Sequence, residues 1–259
     1  MICAGIDAGS RSIKVVLLKA DSRQPIAWGA ADQGVHQEAL AMELLDHVLR
    51  QHGLNRDDVR SMVATGYGRN AITAAADTVT EITCHARGIS HVMKGTRTIV
   101  EIGGQDSKFL RLDADGAVHD FAMNDRCAAG TGRFLEVVAA RLGLSLDDLG
   151  AMAKRSTNPA PISSMCVVFA ETEIIGLLAG GAKPEDIVAG VQASIAERVC
   201  TMAGRNVLEP VAFTGGVAMI PGMADALADA LGHPLVVAPQ PQMTGALGAA
   251  LLACDLKTA

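Results

Sequence analysis

The sequence predicts an α/β protein built from two duplicated lobes. A strand-turn-strand unit occurs twice. Aligning Asp7-Ala8-Gly9-Ser10-Arg11-Ser12-Ile13-Lys14 on Glu101-Ile102-Gly103-Gly104-Gln105-Asp106-Ser107-Lys108 puts acid on acid, Gly on Gly and Lys on Lys. Segments rich in β-branched residues alternate with segments in which apolar residues recur at helical spacing. The 259 residues suffice for two lobes of about 100 to 150 residues, each with a core.

Composition excludes several functions. A net charge of −6 with no basic cluster gives no electrostatic reason to expect nucleic acid. Mean hydropathy is high, +0.28, but the apolar runs are short and broken by Gly, Asp and Arg, so no membrane span is expected. The opening MICAGIDAGS lacks the basic and apolar regions of a signal peptide, which makes the cytoplasm the expected location. The six cysteines are then expected to be free, buried, catalytic or metal-bound rather than paired.

In the first unit an apolar run ending at Ile6 leads through DAGSRS into Ile13, Val15, Val16 and Leu17. Such a turn lets backbone N–H groups converge on an anion. Ser10 and Ser12 add hydroxyls, Lys14 a positive charge, and Asp7 a ligand for a metal ion. An ordinary hairpin has the same outline, but a second copy points to two halves facing a cleft, each offering one hairpin to the same polyphosphate.

Between the copies, residues 37–52 carry Leu40, Met42, Leu44, Leu45, Val48 and Leu49 on one helical face, stopped by Gly53. Residues 59–65 read as a strand running into GYGRN, a degraded dinucleotide fingerprint whose acidic partner is reduced to Glu81. Cys84 and His85 are adjacent but have no second pair at ligand spacing, which favours a structural role.

After the second hairpin, a DADG turn leads to the strand before Asn124. NDRCAAGTGRFLEV then places Cys127 before a helix carrying Phe134, Leu135, Val137, Val138 and Leu142, with Gly143 as its stop. Gly130 and Gly132 cost roughly 1 kcal/mol each in a helix relative to Ala, so something is expected to approach the backbone there. Ser145 caps a helix through Met152, and Cys166 opens another through Leu178. Pro184 begins a helix through Val199. Residues 211–214 read as a strand followed by Gly215 and Gly216, a pair against which an adenine ring can lie. A helix at 221–231, a short strand at 234–237 and a small-residue helix at 244–254 complete the order.

Cys127 and Cys166 both stand where a helix start favours a thiolate or an anionic cluster. The absence of Cys-x-x-Cys removes a zinc ribbon or a ferredoxin-type site within one chain. Two thiols at a two-fold axis become four, which suits an iron–sulfur cluster shared by a dimer. From spacing alone, two buried small hydrophobes are the favoured reading and the shared cluster is the alternative.

The motifs GIDAGSRSIK, ATGYGRN, IGGQDSK, MNDRCAAGTGRFL, ISSMCVVFAETE, FTGGVA and QMTGALGAAL, which span nearly the whole chain, resemble those of the activators of 2-hydroxyacyl-CoA dehydratases and the related ATPase subunits of benzoyl-CoA reductases. These belong with acetate kinase, sugar kinases, heat-shock chaperone ATPases and actin. The resemblance implies a two-lobed actin-like ATPase of ribonuclease H-like fold, with duplicated lobes around a nucleotide cleft. The expected division is a first lobe at 1–94 completed by a C-terminal helix at 243–259, and a second lobe at 95–242 carrying both cysteines.

The resemblance further implies a homodimer in which Cys127 and Cys166 of each protomer ligate one [4Fe-4S] cluster. Binding of ATP, which is hydrolysed to ADP and phosphate, swings the cluster-bearing helices, so that a low-potential electron from ferredoxin or flavodoxin passes to a dehydratase or a benzoyl-CoA reductase-type iron–sulfur partner. Carried over by position, Ser10, Arg11, Ser12, Ile13 and Lys14 form the first phosphate loop with Gly9, and Gln242 belongs to the nucleotide pocket. By the duplication, Asp7, Gly103, Gly104, Gln105 and Asp106 surround Mg2+ and the terminal phosphates, and Gln105 or Asp106 orients the attacking water. Two departures stand out. Glu101 replaces the usual Asp and reaches a metal through water, and Met219 replaces a frequent Gln. The rivals are a small-molecule kinase of the same fold, such as an N-acetylhexosamine kinase, and a chaperone-like ATP-gated binding protein.

Overall fold

A computed structural model describes residues 1–163, 166–204 and 206–256. Ser164 and Met165 of the ISSMCVVFAETE motif, and residues 257–259 of the expected C-terminal helix, lie outside the described residues.

The chain forms two compact units. The first comprises Met1–Gly95, Ala114–Val118 and the chain from Gln242 onward. It opens with β1 (Ile2–Ala8), β2 (Ser12–Lys19), β3 (Pro25–Asp32), α1 (Gln37–Gln51), β4 (Val59–Thr65), β5 (Asp77–Thr78) and α2 (Glu81–Val92). The second unit, Thr96–Asp113 and His119–Pro241, contains β6 (Thr98–Ile102), β7 (Ser107–Leu112), β8 (Val118–Asn124), α3 (Gly132–Leu142), α4 (Leu146–Ala153) and α5 (Val167–Ala179). It continues with α6 (Pro184–Ala203), β9 (Val211–Thr214), α7 (Met223–Leu231) and β10 (Leu235–Val237). The last helix, α8 (Thr244–Asp255), returns to the first unit.

Both units carry the same sheet plan, which makes the duplication visible as topology. The first sheet runs β3-β2-β1-β4-β5 and the second β8-β7-β6-β9-β10. In each, an antiparallel hairpin (β1/β2, β6/β7) is followed by a strand parallel to its first member (β4, β9).

In the first unit α1 lays Leu44, Leu45, Val48 and Leu49 on Ile6, Val15 and Leu17. The small residues of α8 allow backbone contact: a Cβ on Gly5 would fall 2.0 Å from the Ala246 carbonyl oxygen, and one on Gly248 would fall 1.8 Å from that of Cys84. In the second unit Phe134, Leu135 and Val138 of α3 pack with Ile187, Val191, Ile195 and Val199 of α6 over Val100, Ile102, Phe109 and Phe213.

Three segments differ from the sequence reading. Residues 81–92 form a full helix, α2, with Thr80 accepting the Thr83 N–H as cap; its inner face of Cys84, His85, Ala86, Gly88 and Ile89 is too small and polar to give an apolar stripe. Strand β3 begins at Pro25 on the sheet edge, where the missing N–H is tolerated. The stretch after Cys127 is broken: a 3-10 turn at Ala128–Gly130 precedes α3, because Thr131 is extended and its hydroxyl caps Arg133 N–H.

Candidate functional site

In the first hairpin Asp7 lies at the buried end of β1, opposite Lys14 in the ladder, and Lys14 Nζ donates to Asp7 Oδ2 at 3.3 Å. The Gly9 N–H closes the turn on the Ser12 carbonyl at 3.1 Å. A Cβ on Gly9 would stand 3.0 Å from that oxygen and 3.1 Å from Lys14 Nζ. Ser10, Ser12 and Lys14 are half-buried and Arg11 is exposed, whereas the Ile13 side chain is core, leaving only its backbone to the loop. From the segment just after β3, Gln33 braces the turn: its Nε2 donates to the Gly9 carbonyl at 2.7 Å and its N–H to the Arg11 carbonyl at 3.0 Å.

The second hairpin repeats the frame with different charges. Glu101 and Lys108 are ladder partners, and Lys108 Nζ donates to Glu101 Oε2 at 2.9 Å and also to Asp106 Oδ2. All three side chains are buried. The Gly103 N–H bonds the Asp106 carbonyl at 2.9 Å, so Gly103, Gly104, Gln105 and Asp106 form one tight turn with Gln105 exposed at its tip. The Glu101 and Asp106 carboxylates are oxygen donors of the kind that suit Mg2+, which keeps several waters and takes one or two carboxylates beside phosphate oxygens.

A second repeat, which the sequence reading missed, backs each hairpin. Gly66 follows β4 with φ +94°, and its Cβ would fall 2.4 Å from the Ala8 carbonyl and 2.7 Å from Asp7 Oδ1. Gly215 follows β9 with φ +92°, and its Cβ would fall 2.2 Å from the Ile102 carbonyl and 2.7 Å from Glu101 Oε1. Both positions require glycine for conformation and for space. The signal was a Thr-Gly pair, Thr65-Gly66 and Thr214-Gly215, after each parallel strand. A Cβ built on Gly216 would meet nothing within 4 Å, Met219 in the same turn is exposed, and Gln242 lies half-buried in a short turn before α8. His85, also set aside by sequence, is buried with Nδ1 2.9 Å from the Thr244 hydroxyl. A Cβ on Gly245 would meet both His85 Nε2, at 3.2 Å, and Asp7 Oδ2, at 3.3 Å.

The second hairpin is tied directly to the cysteine segment. The Gly132 and Arg133 N–H groups at the start of α3 donate to the Gly103 and Gly104 carbonyls, both at 2.9 Å. The close neighbours at Gly132 are therefore the Val217 side chain, 3.1 Å from a Cβ built there, and the hairpin turn, 3.2 Å from it. A cavity of about 680 Å³ is lined by Ser107 of this hairpin together with Asn124, Cys127, Gly130 and Arg198.

The structure sorts the six cysteines. Cys127 and Cys166 are exposed, Cys3 and Cys84 are buried, and Cys200 and Cys254 are half-buried. Burial pushes Cys84 and Cys254 up to about 12 and Cys200 to about 11, which keeps them as thiols near neutrality. Cys166 caps α5, as expected, but Cys127 caps only the 3-10 turn, whose macrodipole is slight. Among the described residues no three His, Cys, Asp or Glu side chains gather to hold a metal ion within one chain. Two exposed thiols per chain thus fit a metal group completed by a second molecule and do not fit one closed within the monomer.

The match to a family model extends over residues 4–253. The chain belongs to the BadF/BadG/BcrA/BcrD ATPase family. Among relatives of this ATPase, the activator of lactoyl-CoA dehydratase from Anaerotignum propionicum is 46% identical over 256 residues, covering 98% of each chain. The (R)-2-hydroxyglutaryl-CoA dehydratase activating ATPase of Acidaminococcus fermentans is 40% identical, covering 96% of this chain and 95% of that one. A solved structure, the activator of the 2-hydroxyisocaproyl-CoA dehydratase from Clostridium difficile with bound ADPNP, superposes with a TM-score of 0.93 at 42% identity, covering 98% and 95%. The fold is the two-lobed one shared by actin-like ATPases and sugar kinases, and ATP is the nucleotide of the family. No helix among the described residues is long and apolar enough to cross a membrane.

Proposed function

We propose that this ATPase is a cytoplasmic activator that couples ATP hydrolysis to delivery of a low-potential electron, received from ferredoxin or flavodoxin, to a 2-hydroxyacyl-CoA dehydratase or a benzoyl-CoA reductase-type partner. It acts as a homodimer in which Cys127 and Cys166 of each protomer hold one [4Fe-4S] cluster. The observation that carries this reading is the sorting of the thiols: of six cysteines, the two that are exposed are the two in the motifs that resemble those of such activators. The apolar face of α5 beside Cys166, with Val168, Phe169 and Ile175 exposed, supports pairing with a second copy.

In this proposal the polyphosphate is bound by Gly9, Ser10, Arg11, Ser12, Ile13 and Lys14 through backbone N–H groups, hydroxyls and charge. Asp7, Gly103, Gly104 and Asp106 surround Mg2+, Gln105 or Asp106 orients the attacking water, and Gly215, Gly216 and Gln242 serve the nucleoside. Catalysis rests on positioning and charge neutralisation. The cluster, when bound, supplies a one-electron carrier. The chain's own part is mechanical: a change at the Gly103-Gly104 turn is passed by two hydrogen bonds to the start of α3 and so to the segment carrying Cys127.

Protein purified without oxygen is expected to be brown, with about four irons per dimer, and to pass electrons to a dehydratase partner only with MgATP. Colourless, iron-free monomers that phosphorylate a sugar would overturn the proposal.

A further inference from the structure

The backbone of Cys127 is bonded by the Asn124 side chain. Asn124, the last residue of β8, directs its amide at the backbone of Cys127 from both sides: Nδ2 donates to the Cys127 carbonyl at 2.7 Å, and the Cys127 N–H donates to Oδ1 at 3.0 Å. The loop 124–127 is thereby closed into a ring by a side chain that uses both its donor and its acceptor. Close behind it, a Cβ on Gly130 would lie 3.3 Å from Asn124 Nδ2 and 3.7 Å from the Ser107 hydroxyl. Thr131 ties off the other end, its hydroxyl donating to the Ala128 carbonyl at 2.7 Å.

From this geometry we infer that Asn124 is the positioning residue for Cys127, fixing the φ and ψ of an exposed residue and hence the direction in which its thiol points. The inference rests on the reading of Cys127 as a cluster ligand. An exposed thiol on an unbraced loop samples many directions, and each ligand that must be ordered on binding weakens the site. Bonding to a ligand's backbone from a neighbouring strand removes that ordering cost and places the sulfur before the metal arrives. Asn suits this position because the two bonds need one donor and one acceptor on a short planar group. Asp accepts from the Cys127 N–H but has no donor for the carbonyl when ionised, and Ala does neither.

The test uses the full chain, loaded without oxygen with ferrous iron and sulfide, as wild type, Asn124→Ala, Asn124→Asp and Cys127→Ser. Iron per dimer and the rate at which an excess iron chelator removes it are measured. Alkylation of Cys3 and Cys84, both buried, reports folding: in a folded variant they stay unmodified. Asn124→Ala is expected to lose iron about ten- to a hundred-fold faster than wild type, the range for partners that orient a metal ligand, with Asn124→Asp between the two. A folded Asn124→Ala that loads no iron, with loading recovered in Asn124→Asp, supports the same role. Should Asn124→Ala alkylate at Cys3 and Cys84, the near-isosteric Asn124→Asp decides alone, by whether its iron leaves faster than that of wild type. Loss at the wild-type rate in Asn124→Ala and Asn124→Asp, with Cys127→Ser empty, overturns the role of Asn124 and leaves Cys127 as a ligand. Full loading in Cys127→Ser overturns both.

Discussion

The two hairpins share a frame and differ in what they carry. Each pairs an acid with a lysine across the ladder, closes its turn on a glycine N–H, and is backed by a left-handed glycine after the parallel strand. The first sets one partly buried lysine, 16% exposed, against one carboxylate and adds Ser10, Arg11 and Ser12. The second sets one buried lysine against two buried carboxylates. The first turn is braced by Gln33, whereas the second is bonded to the start of α3. The two copies thus differ in chemistry: one presents cationic and hydroxyl groups, and the other a lysine-bound carboxylate pair with a hydrogen-bonded connection to α3.

Variants made in parallel in the two copies sharpen this contrast. Lys108→Met strands two buried carboxylates and is expected to cost about 3–5 kcal/mol, whereas Lys14→Met, which strands one carboxylate at a pair with some access to solvent, should cost less, about 1–2 kcal/mol. Urea denaturation of nucleotide-free protein measures both, and equal losses would erase the distinction. Where the copies are alike the effects should match: Gly66→Ala and Gly215→Ala each force a Cβ onto a carbonyl at positive φ and should each cost about 2–4 kcal/mol, while Gly216→Ala, in open space, stays within about 0.5 kcal/mol. Thermal melts in one buffer decide this.

Ser12→Asp writes the acid of the second hairpin into the first. Repulsion of the polyphosphate should raise the KM for ATP about tenfold, roughly 1.4 kcal/mol, and an unchanged KM would remove Ser12 from the phosphate loop. The mildest test follows the outward connection to the thiols. Because burial raises the pKa of Cys84 and Cys254 to about 12 and of Cys200 to about 11, these stay protonated far above neutrality. At pH 8, iodoacetamide should modify Cys127 and Cys166 in iron-free protein and spare these three, with Cys200 gaining reactivity only as the pH nears 11. Peptide mapping by mass spectrometry reads the pattern.

Much of this was legible in the sequence where period and punctuation agree. The strand at 59–65, the start of α6 at Pro184 and the small-residue helix α8 follow from β-branching, a proline at the first helical position and a Gly/Ala run. The acid–lysine frame of both hairpins was readable because ladder partners seven residues apart recur in two copies. Helix α2 was hidden because its buried face holds Cys84 and His85, whose burial depends on distant Thr244 and the α8 backbone. The break at Thr131 was hidden because a threonine there can continue a helix or cap one, and its hydroxyl chose the cap. Asn124 was quoted as the first letter of a motif, but its hold on Cys127 is a matter of side-chain direction, which no spacing rule conveys.

The central claim is that the nucleotide state of the second hairpin is felt at Cys127. The most direct measurement is the rate of iron loss to a chelator from wild-type protein loaded with iron and sulfide, with MgATP, with MgADP and without nucleotide. A several-fold difference between MgATP and MgADP that disappears in Gly132→Ala, where a Cβ intrudes on the Gly103 carbonyl, is the predicted result. Identical rates in all three states would contradict the account.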